Sequence, residues 1–287
     1  MIMGENRLEV IENIRRSAES GEFYNKVEPN DPVLTPEQSR AITDAFVENR
    51  KRLTFKIKTA VALTIAKTAA RVINRDTVIV GLEKVPGDLG GVIITSNHFG
   101  PTENTVIRHL TNKLHRRDLA IISQTTNFAM TGFFGFLMNY ADTIPISTDP
   151  RYLVRNFLSV LREKLIDRRS AVLLYPEQEM WFNYRKPRPP RGGAYFYAAK
   201  LNVPILSCFV EIVDREEDDN DEFKKTRFVL HILDLLVPDP DKPVRENTDA
   251  LAARDYALKK AAYEAAYGKK LTYDFEPDDI AGWKGSL

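Results

Sequence analysis

Cysteine is nearly absent from this sequence: Cys208 is the only one among 287 residues, and histidine occurs four times. A single cysteine excludes an internal disulfide and a thiolate metal cluster, and it suits a reducing compartment. The sequence also has no H-E-x-x-H pattern, so we expect no bound metal ion.

Long apolar runs and an excess of one charge are missing as well. No stretch of about 18 uncharged apolar residues occurs, so we expect no conventional transmembrane helix. The sequence has 41 Lys and Arg against 40 Asp and Glu, a net charge of +1. Such a balance creates no overall field that attracts nucleic acid, and we expect no nucleic-acid partner.

From about residue 77 the chain alternates between short apolar runs and helix-like segments, which is typical of α/β proteins. We expect a mixed, mostly parallel central sheet flanked by helices, with an N-terminal helical extension at residues 1–75. Residues 76–287 are predicted to form one α/β domain. Strands are predicted at 77–82, 91–96, 119–123, 143–146, 171–175, 203–213 and 227–236, and helices at 101–115, 151–168, 192–201 and 247–267.

Two helices are predicted in the N-terminal extension. Thr35, Pro36 and Gln38 form a capping-box pattern, which predicts a helix start at Pro36. Residues 51–75 hold seven basic residues and no acid. Their apolar residues recur every four positions on one helix face, at Leu53, Ile57, Val61, Ile65 and Ala69. This pattern suits the surface of an anionic bilayer; the alternative is a helix packed on its own domain with a solvated basic face.

His98 and Glu103 form the strongest candidate for a reactive pair. His98 directly follows a predicted strand, at the sheet edge where open α/β folds bind their ligands. Glu103, five residues on in the first turn of a helix, can hold one imidazole nitrogen while the other takes a proton. The alternative is a structural histidine beside an acid that complements the helix dipole. The other histidines have no comparable partner and are interpreted as surface or structural residues: His109, His115 and His231.

Three further blocks follow this pair in the chain. The first is Ile144-Pro145-Ile146 with the basic Arg151, the second is the strand end at 173–179, L-L-Y-P-E-Q-E, and the third is N-V-P-I-L at 202–206. With the H-x-x-x-x-E pattern, this order resembles the glycerolipid acyltransferase superfamily, of the lysophosphatidic acid acyltransferase type, over residues 77–213.

The resemblance implies that His98 is a general base, that Glu103 orients it, and that residues 76–287 are an acyltransferase domain. The implied reaction transfers a fatty acyl group from acyl-CoA or acyl carrier protein to a hydroxyl of a lysophospholipid or related glycerolipid, as in a 1-acylglycerol-3-phosphate acyltransferase. The thioester is a co-substrate, and no bound cofactor is expected. The substrate-binding residues implied are Asn97, Arg151, Glu177, Gln178, Arg185 and Arg191.

The implied setting is an anionic membrane surface, where the protein meets its lysolipid acceptor as a cytoplasmic, peripheral membrane protein. The apolar segment 128–140 is expected to line an acyl-chain tunnel or to dip into the membrane; the alternative is a buried core segment. A hydrolase is disfavoured because no G-x-S-x-G pattern occurs. A non-catalytic lipid-binding protein on the same fold stays an alternative.

The second block departs from the family pattern, which reads Pro-Glu-Gly-Thr-Arg and uses its Arg to hold a phosphate. Here Gln178, Glu179 and Met180 follow Pro176-Glu177, and the extra acid would repel a phosphate. The basic run at 185–191 is a possible substitute; the alternative is a solvated basic loop. A further alternative is a glycolipid acceptor whose sugar contacts Trp181, Asn183 and Tyr184.

Overall fold

A seven-stranded sheet runs through the computed structural model, which describes residues 6–29, 32–114 and 118–285. The strand order is β1-β7-β6-β2-β5-β3-β4. In the described part of the chain every neighbouring pair is parallel except β6 and β7, which form an antiparallel hairpin. The predicted mixed, mostly parallel sheet is confirmed. The strands are β1 Val78–Val80, β2 Val92–Thr95, β3 Leu119–Gln124, β4 Thr143–Ile146, β5 Ala171–Leu174, β6 Ile205–Asp218 and β7 Lys224–Leu236.

Helices cover both faces of the sheet, and for this reason the central strands are continuous apolar runs. All four residues of β2 and all four of β5 are buried. Ile93 packs on one face with residues of α9 and α10, while Val92 and Ile94 pack on the other face with α4. The helices are α1 Arg7–Glu19, α2 Pro36–Asn49, α3 Leu53–Ile73, α4 Asn104–Lys113, α5 Thr125–Phe128, α6 Gly132–Tyr140, α7 Pro150–Tyr152, α8 Leu158–Arg162, α9 Gly193–Leu201 and α10 Val244–Tyr267.

The predicted helix over 151–168 is present as one helical stretch with two π-helical segments, Leu153–Phe157 and Glu163–Asp167, on either side of α8. The capping box before α2 is confirmed: the Gln38 N–H donates to Thr35 Oγ1 at 3.3 Å, and the Thr35 N–H donates to Gln38 Oε1 at 2.8 Å.

Helix α1 packs against residues from distant parts of the chain. Its Ile14 is fully buried and shares a cluster with Trp181, Phe223 and Ile280. Helix α3, which ends just before the predicted boundary at residue 75, lies beside α4 and α6. Across the described residues, we find no helix that combines the length and the apolar character needed to cross a membrane.

Candidate active site

His98 and Glu103 meet at the carboxyl end of β2. His98 Nδ1 hydrogen-bonds Glu103 Oε1. The Glu103 side chain is 3% exposed, whereas that of His98 is 20% exposed and borders a cavity. Because an ionised carboxylate only accepts hydrogen bonds, this contact assigns the hydrogen to Nδ1 and leaves the lone pair on Nε2. The pair can therefore take a proton on Nε2 while the carboxylate stabilises the imidazolium.

Backbone donors hold the Glu103 carboxylate in place. The N–H groups of Phe99 and Gly100 both donate to Oε2, the latter at 2.7 Å. Helix α4 begins one residue after Glu103, so the predicted helix start at residue 101 was wrong. Pro101 lies instead in a turn that closes with the Glu103 N–H on the Gly100 carbonyl, at 3.3 Å. This turn directs the carboxylate back to the strand end.

Tyr175, which sequence reasoning did not single out, stacks on His98. The two rings are 4.2 Å apart between centroids and 8° from parallel. Burial, and then the charge of Glu103, raise the pKa of Tyr175 well above its ordinary value, so its hydroxyl stays protonated. In the sequence, Tyr175 stands at the end of the predicted strand 171–175, but the sequence does not show that this strand lies next to β2.

Glu177 is buried behind the reactive pair and does not border the cavity. Its carboxylate accepts the His98 N–H at 3.1 Å and the Arg188 N–H at 3.0 Å, and it pairs with the buried Arg188 guanidinium at 3.1 Å. Glu177 therefore holds the backbone of His98. This buried position contradicts the expected contact of Glu177 with the acceptor.

Asn97 and Arg185 also lie away from the cavity. The Asn97 side chain bonds both main-chain groups of Val210, at 3.0 and 2.8 Å, and so joins the end of β2 to β6. The Arg185 guanidinium pairs with Asp214 and donates to the Asp278 carbonyl at 3.0 Å. Both side chains are thus engaged within the fold, and the expected substrate contacts from them disagree with these positions.

The basic run at 185–191 mostly serves the fold. Lys186 is 3% exposed and forms a buried ion pair with Asp279 at 2.6 Å, and Arg188 pairs with Glu177. Lys186 and Arg188 are therefore neither solvated nor available to bind a phosphate. Arg191 differs, because it is exposed at the cavity with its guanidinium 3.7 Å from the centre of the Tyr24 ring.

The suggested sugar contacts from Trp181, Asn183 and Tyr184 are wrong. Trp181 and Tyr184 are 0% and 2% exposed in the cluster around α1, and Trp181 Nε1 donates to the Asn25 carbonyl at 3.0 Å. The Asn183 side chain donates to the Ala281 carbonyl at 3.0 Å. All three residues therefore attach the loop at 181–184 to the cluster around α1 and to the C-terminal tail.

The cavity beside His98 has a volume of about 1720 Å³. Arg151, Gln178 and Arg191, three of the predicted substrate-binding residues, border it. Gln178 adopts a left-handed backbone with φ 65°, a conformation that favours glycine, which is the residue in the family pattern. Part of the wall is apolar and comes from α3 and α6, at Ile65, Ala66, Ala69, Ile73, Phe133, Phe134, Leu137 and Met138.

Segment 128–140 is therefore not a buried core element. Phe133 and Phe134 are 57% and 55% exposed, and α6 contributes to the cavity wall. Arg108 also borders this cavity but is buried, with Nη2 donating to the Ala141 carbonyl at 3.2 Å. His231 does have an acidic partner, contrary to expectation: its Nε2 contacts Glu211 at 2.8 Å across the β6–β7 hairpin. His115 lies outside the described residues.

Among the described residues, the carboxylates of Glu276, Asp278 and Asp279 lie close enough together to hold a cation. Lysines already occupy this position: Lys269 Nζ bonds Glu276 and Asp278 at 2.8 and 2.7 Å, and Lys186 bonds Asp279. This acidic group is therefore neutralised by the protein's own side chains.

Residues 76–211 match the protein-family model described as Acyltransferase. A comparison with curated protein sequences gives no match. Among solved structures, the chain is similar to the 1-acyl-sn-glycerophosphate (LPA) acyltransferase PlsC from Thermotoga maritima. The TM-score is 0.51 and the sequence identity 13%, over 82% of this chain and 99% of that one. At this identity the likeness concerns the fold.

Proposed function

Since residues 76–211 belong to the glycerolipid acyltransferase superfamily, we propose that this protein transfers a fatty acyl group from an acyl thioester to a hydroxyl of a lysoglycerolipid. The donor is acyl-CoA or an acyl carrier protein thioester. The resemblance names 1-acylglycerol-3-phosphate as the acceptor, and a glycolipid acceptor is the alternative. The observation that carries the proposal is the His98–Glu103 pair at the edge of a large cavity.

The reaction follows from the tautomer that Glu103 imposes. His98 Nε2 removes the proton from the acceptor hydroxyl as its oxygen attacks the thioester carbonyl carbon. The C–O bond forms and the C–S bond breaks, and the imidazolium returns the proton to the departing thiolate. This reaction requires no nucleophile from the protein. Cys208 would be a poor one, because burial raises the pKa of its thiol to about 12.

The apolar wall formed by α3 and α6 supports binding of a long acyl chain. Residues such as Ile65, Ala69 and Leu137 border the same cavity as His98, so an acyl chain can lie along them with its reactive end near the imidazole. Apolar contact of this kind provides affinity that grows with chain length, about 0.8 kcal/mol per buried methylene group.

Exposed apolar residues on α3 and α6 support attachment to a membrane surface. Leu53, Ile57 and Val61 belong to the apolar face of α3, yet they are 73%, 57% and 50% exposed. These three side chains therefore do not pack on the domain. Phe133 and Phe134 on the adjoining α6 are exposed as well. With basic side chains on α3 beside them, these five residues form the proposed membrane-contacting surface of a peripheral protein on a cytoplasmic, anionic leaflet.

The direct test incubates the purified protein with labelled acyl-CoA or acyl carrier protein thioesters and a panel of lysolipids. We expect a labelled ester product that disappears in His98→Ala. A Glu103→Gln variant should lower kcat by about 10³-fold, because the amide cannot hold the imidazolium in the same way. Lysolipid binding without any ester product would instead favour a non-catalytic lipid-binding protein.

A further inference from the structure

The Glu179 carboxylate borders the cavity beside His98. Its side chain is half-buried, and Glu179 Oε1 accepts a hydrogen bond from Gln124 Nε2 at 2.8 Å. Among the described residues no ion pair reaches this carboxylate. An acid in a partly desolvated wall repels an anionic ligand and accepts hydrogen bonds from a neutral or positive one.

Glu179 lies near the reactive histidine. Nη2 of Arg188 donates to the main-chain carbonyls of both His98, at 3.4 Å, and Glu179. The two main chains are therefore close, and both residues border the same cavity. A headgroup whose hydroxyl lies at His98 Nε2 can extend along this wall to the Glu179 side chain.

Arg188, whose guanidinium bonds the Glu179 main-chain carbonyl, is not free to offset the charge of the Glu179 carboxylate. Arg188 is fully buried and is engaged by Glu177, by the Phe23 carbonyl at 2.8 Å and by the two carbonyls above. The next residue after Glu179 is Met180, which carries no charge. The exposed bases that border the cavity all belong to other segments: Lys26, Arg40, Arg151, Arg155 and Arg191. Arg40 pairs with Asp149 at 3.4 Å, and the Arg191 guanidinium lies over the Tyr24 ring.

The wall next to Glu179 continues with neutral polar groups. Gln124 ends β3, and its Oε1 is an acceptor that the bond to Glu179 does not use. Ser123, Thr126 and Asn127 border the cavity from the same strand end and from α5, and Asn127 Nδ2 donates to Ser123 Oγ at 2.7 Å. Such a row of neutral donors and acceptors matches a headgroup with several hydroxyls better than a headgroup with a single ammonium group.

We propose that Glu179 and Gln124 form a headgroup subsite that selects a neutral, hydroxyl-rich acceptor, a glycosyl or polyol lipid, over a phosphate monoester. The inference rests on the proposed acyltransferase function, because it concerns the acceptor of that reaction. Headgroup hydroxyls donate to the Glu179 carboxylate and to Gln124 Oε1, and one remaining hydroxyl reaches His98. A phosphate in this position faces the negative charge of the Glu179 carboxylate.

The test compares two acceptors with the same acyl chain, lysophosphatidic acid and a monoacylglycerol with a glucosyl headgroup. Binding is measured to the His98→Ala protein, which removes turnover from the comparison, and acyl transfer is measured with intact His98. We expect the glucosyl lipid to bind at least about tenfold more tightly, and Glu179→Gln to reduce this preference by about tenfold. Asp44→Asn, which removes a different acid, an exposed one, from the same cavity, should leave the preference unchanged.

Three results overturn the subsite: tighter binding of lysophosphatidic acid, no binding of either lipid, or a preference for the glucosyl lipid in the Glu179→Gln protein that is as large as in the protein with Glu179. A failure of the proposed acyl transfer gives a different result from a failure of the subsite. If the glucosyl preference in binding is present and depends on Glu179, but no acceptor is acylated by the protein with intact His98, the subsite stands and acyl transfer is refuted.

Discussion

The ring of Tyr175 lies parallel to the imidazole of His98, 4.2 Å away between centroids and tilted by 8°. Glu103 fixes one nitrogen of the imidazole, and the stacked ring restricts rotation of its plane. The His98 ring is thus held by a hydrogen bond at its edge and by a flat surface on one face. The direction in which Nε2 points into the cavity depends on both contacts.

Replacing Tyr175 separates the stacking contact from the hydroxyl. Tyr175→Phe keeps the aromatic face and should keep kcat within about threefold of wild type, whereas Tyr175→Leu should lower kcat by about tenfold or more, because a small displacement of a catalytic group is costly. The KM for the acceptor should change little. Equal kcat values for the Leu and Phe variants in steady-state kinetics would show that the stack does not position His98.

Loss of the buried Arg188 should destabilise the protein strongly. Arg188→Met leaves Glu177 as a buried, unpaired carboxylate, which typically costs about 3–5 kcal/mol of unfolding free energy. The double variant Glu177→Gln/Arg188→Met should recover part of this loss, and the exposed Arg191→Met should change stability by less than about 0.5 kcal/mol. Urea unfolding measures all three. An Arg188→Met protein as stable as wild type would contradict a structural role for the pair.

The proposed membrane-contacting surface can be tested with vesicles. Leu53→Ser/Ile57→Ser removes two exposed apolar residues of α3, and it should lower co-sedimentation with anionic phosphatidylglycerol vesicles by about tenfold. Binding should also weaken as salt is added, because basic side chains contribute. Val237→Ser, which changes a residue 65% exposed elsewhere on the protein, is the matched control. Unchanged sedimentation of the α3 variant would exclude this surface as the contact.

His109 should make stability depend on pH. Burial, and then the charge of Lys113, lower the pKa of His109 below its ordinary 6.5. The unfolded chain therefore binds a proton at a higher pH than the folded protein, so stability is complete above pH 6.5 and declines as the pH falls below that value. Between about pH 7.5 and about pH 5.5, His109→Asn should lose less unfolding free energy than wild type. An equal loss would show that His109 does not contribute.

Much of the fold could be predicted because the information is local. Each buried strand is a short apolar run, and the contact between His98 and Glu103 depends on a turn of a few residues. The start of α4 was misplaced because Pro101 is compatible both with a first helical position and with the turn that precedes it.

The burial of several polar side chains and the stacking on His98 could not be predicted, because they depend on contacts between residues far apart in the sequence. Lys186 meets Asp279, 93 positions away, and Asn97 meets Val210, 113 positions away, so charge and polarity alone did not reveal that these side chains are buried. The stacking of Tyr175 on His98 requires β2 and β5 to be adjacent, which sequence spacing does not specify.

The most direct test of the account is the initial rate of ester formation from a labelled acyl thioester and a lysoglycerolipid, measured for wild type and for His98→Ala at equal concentrations of folded protein. Because Nε2 of His98 is the proposed proton acceptor, the account predicts product formation by wild type and a loss of at least about 10³-fold in the variant. Ester formation at the same rate in both proteins would contradict it.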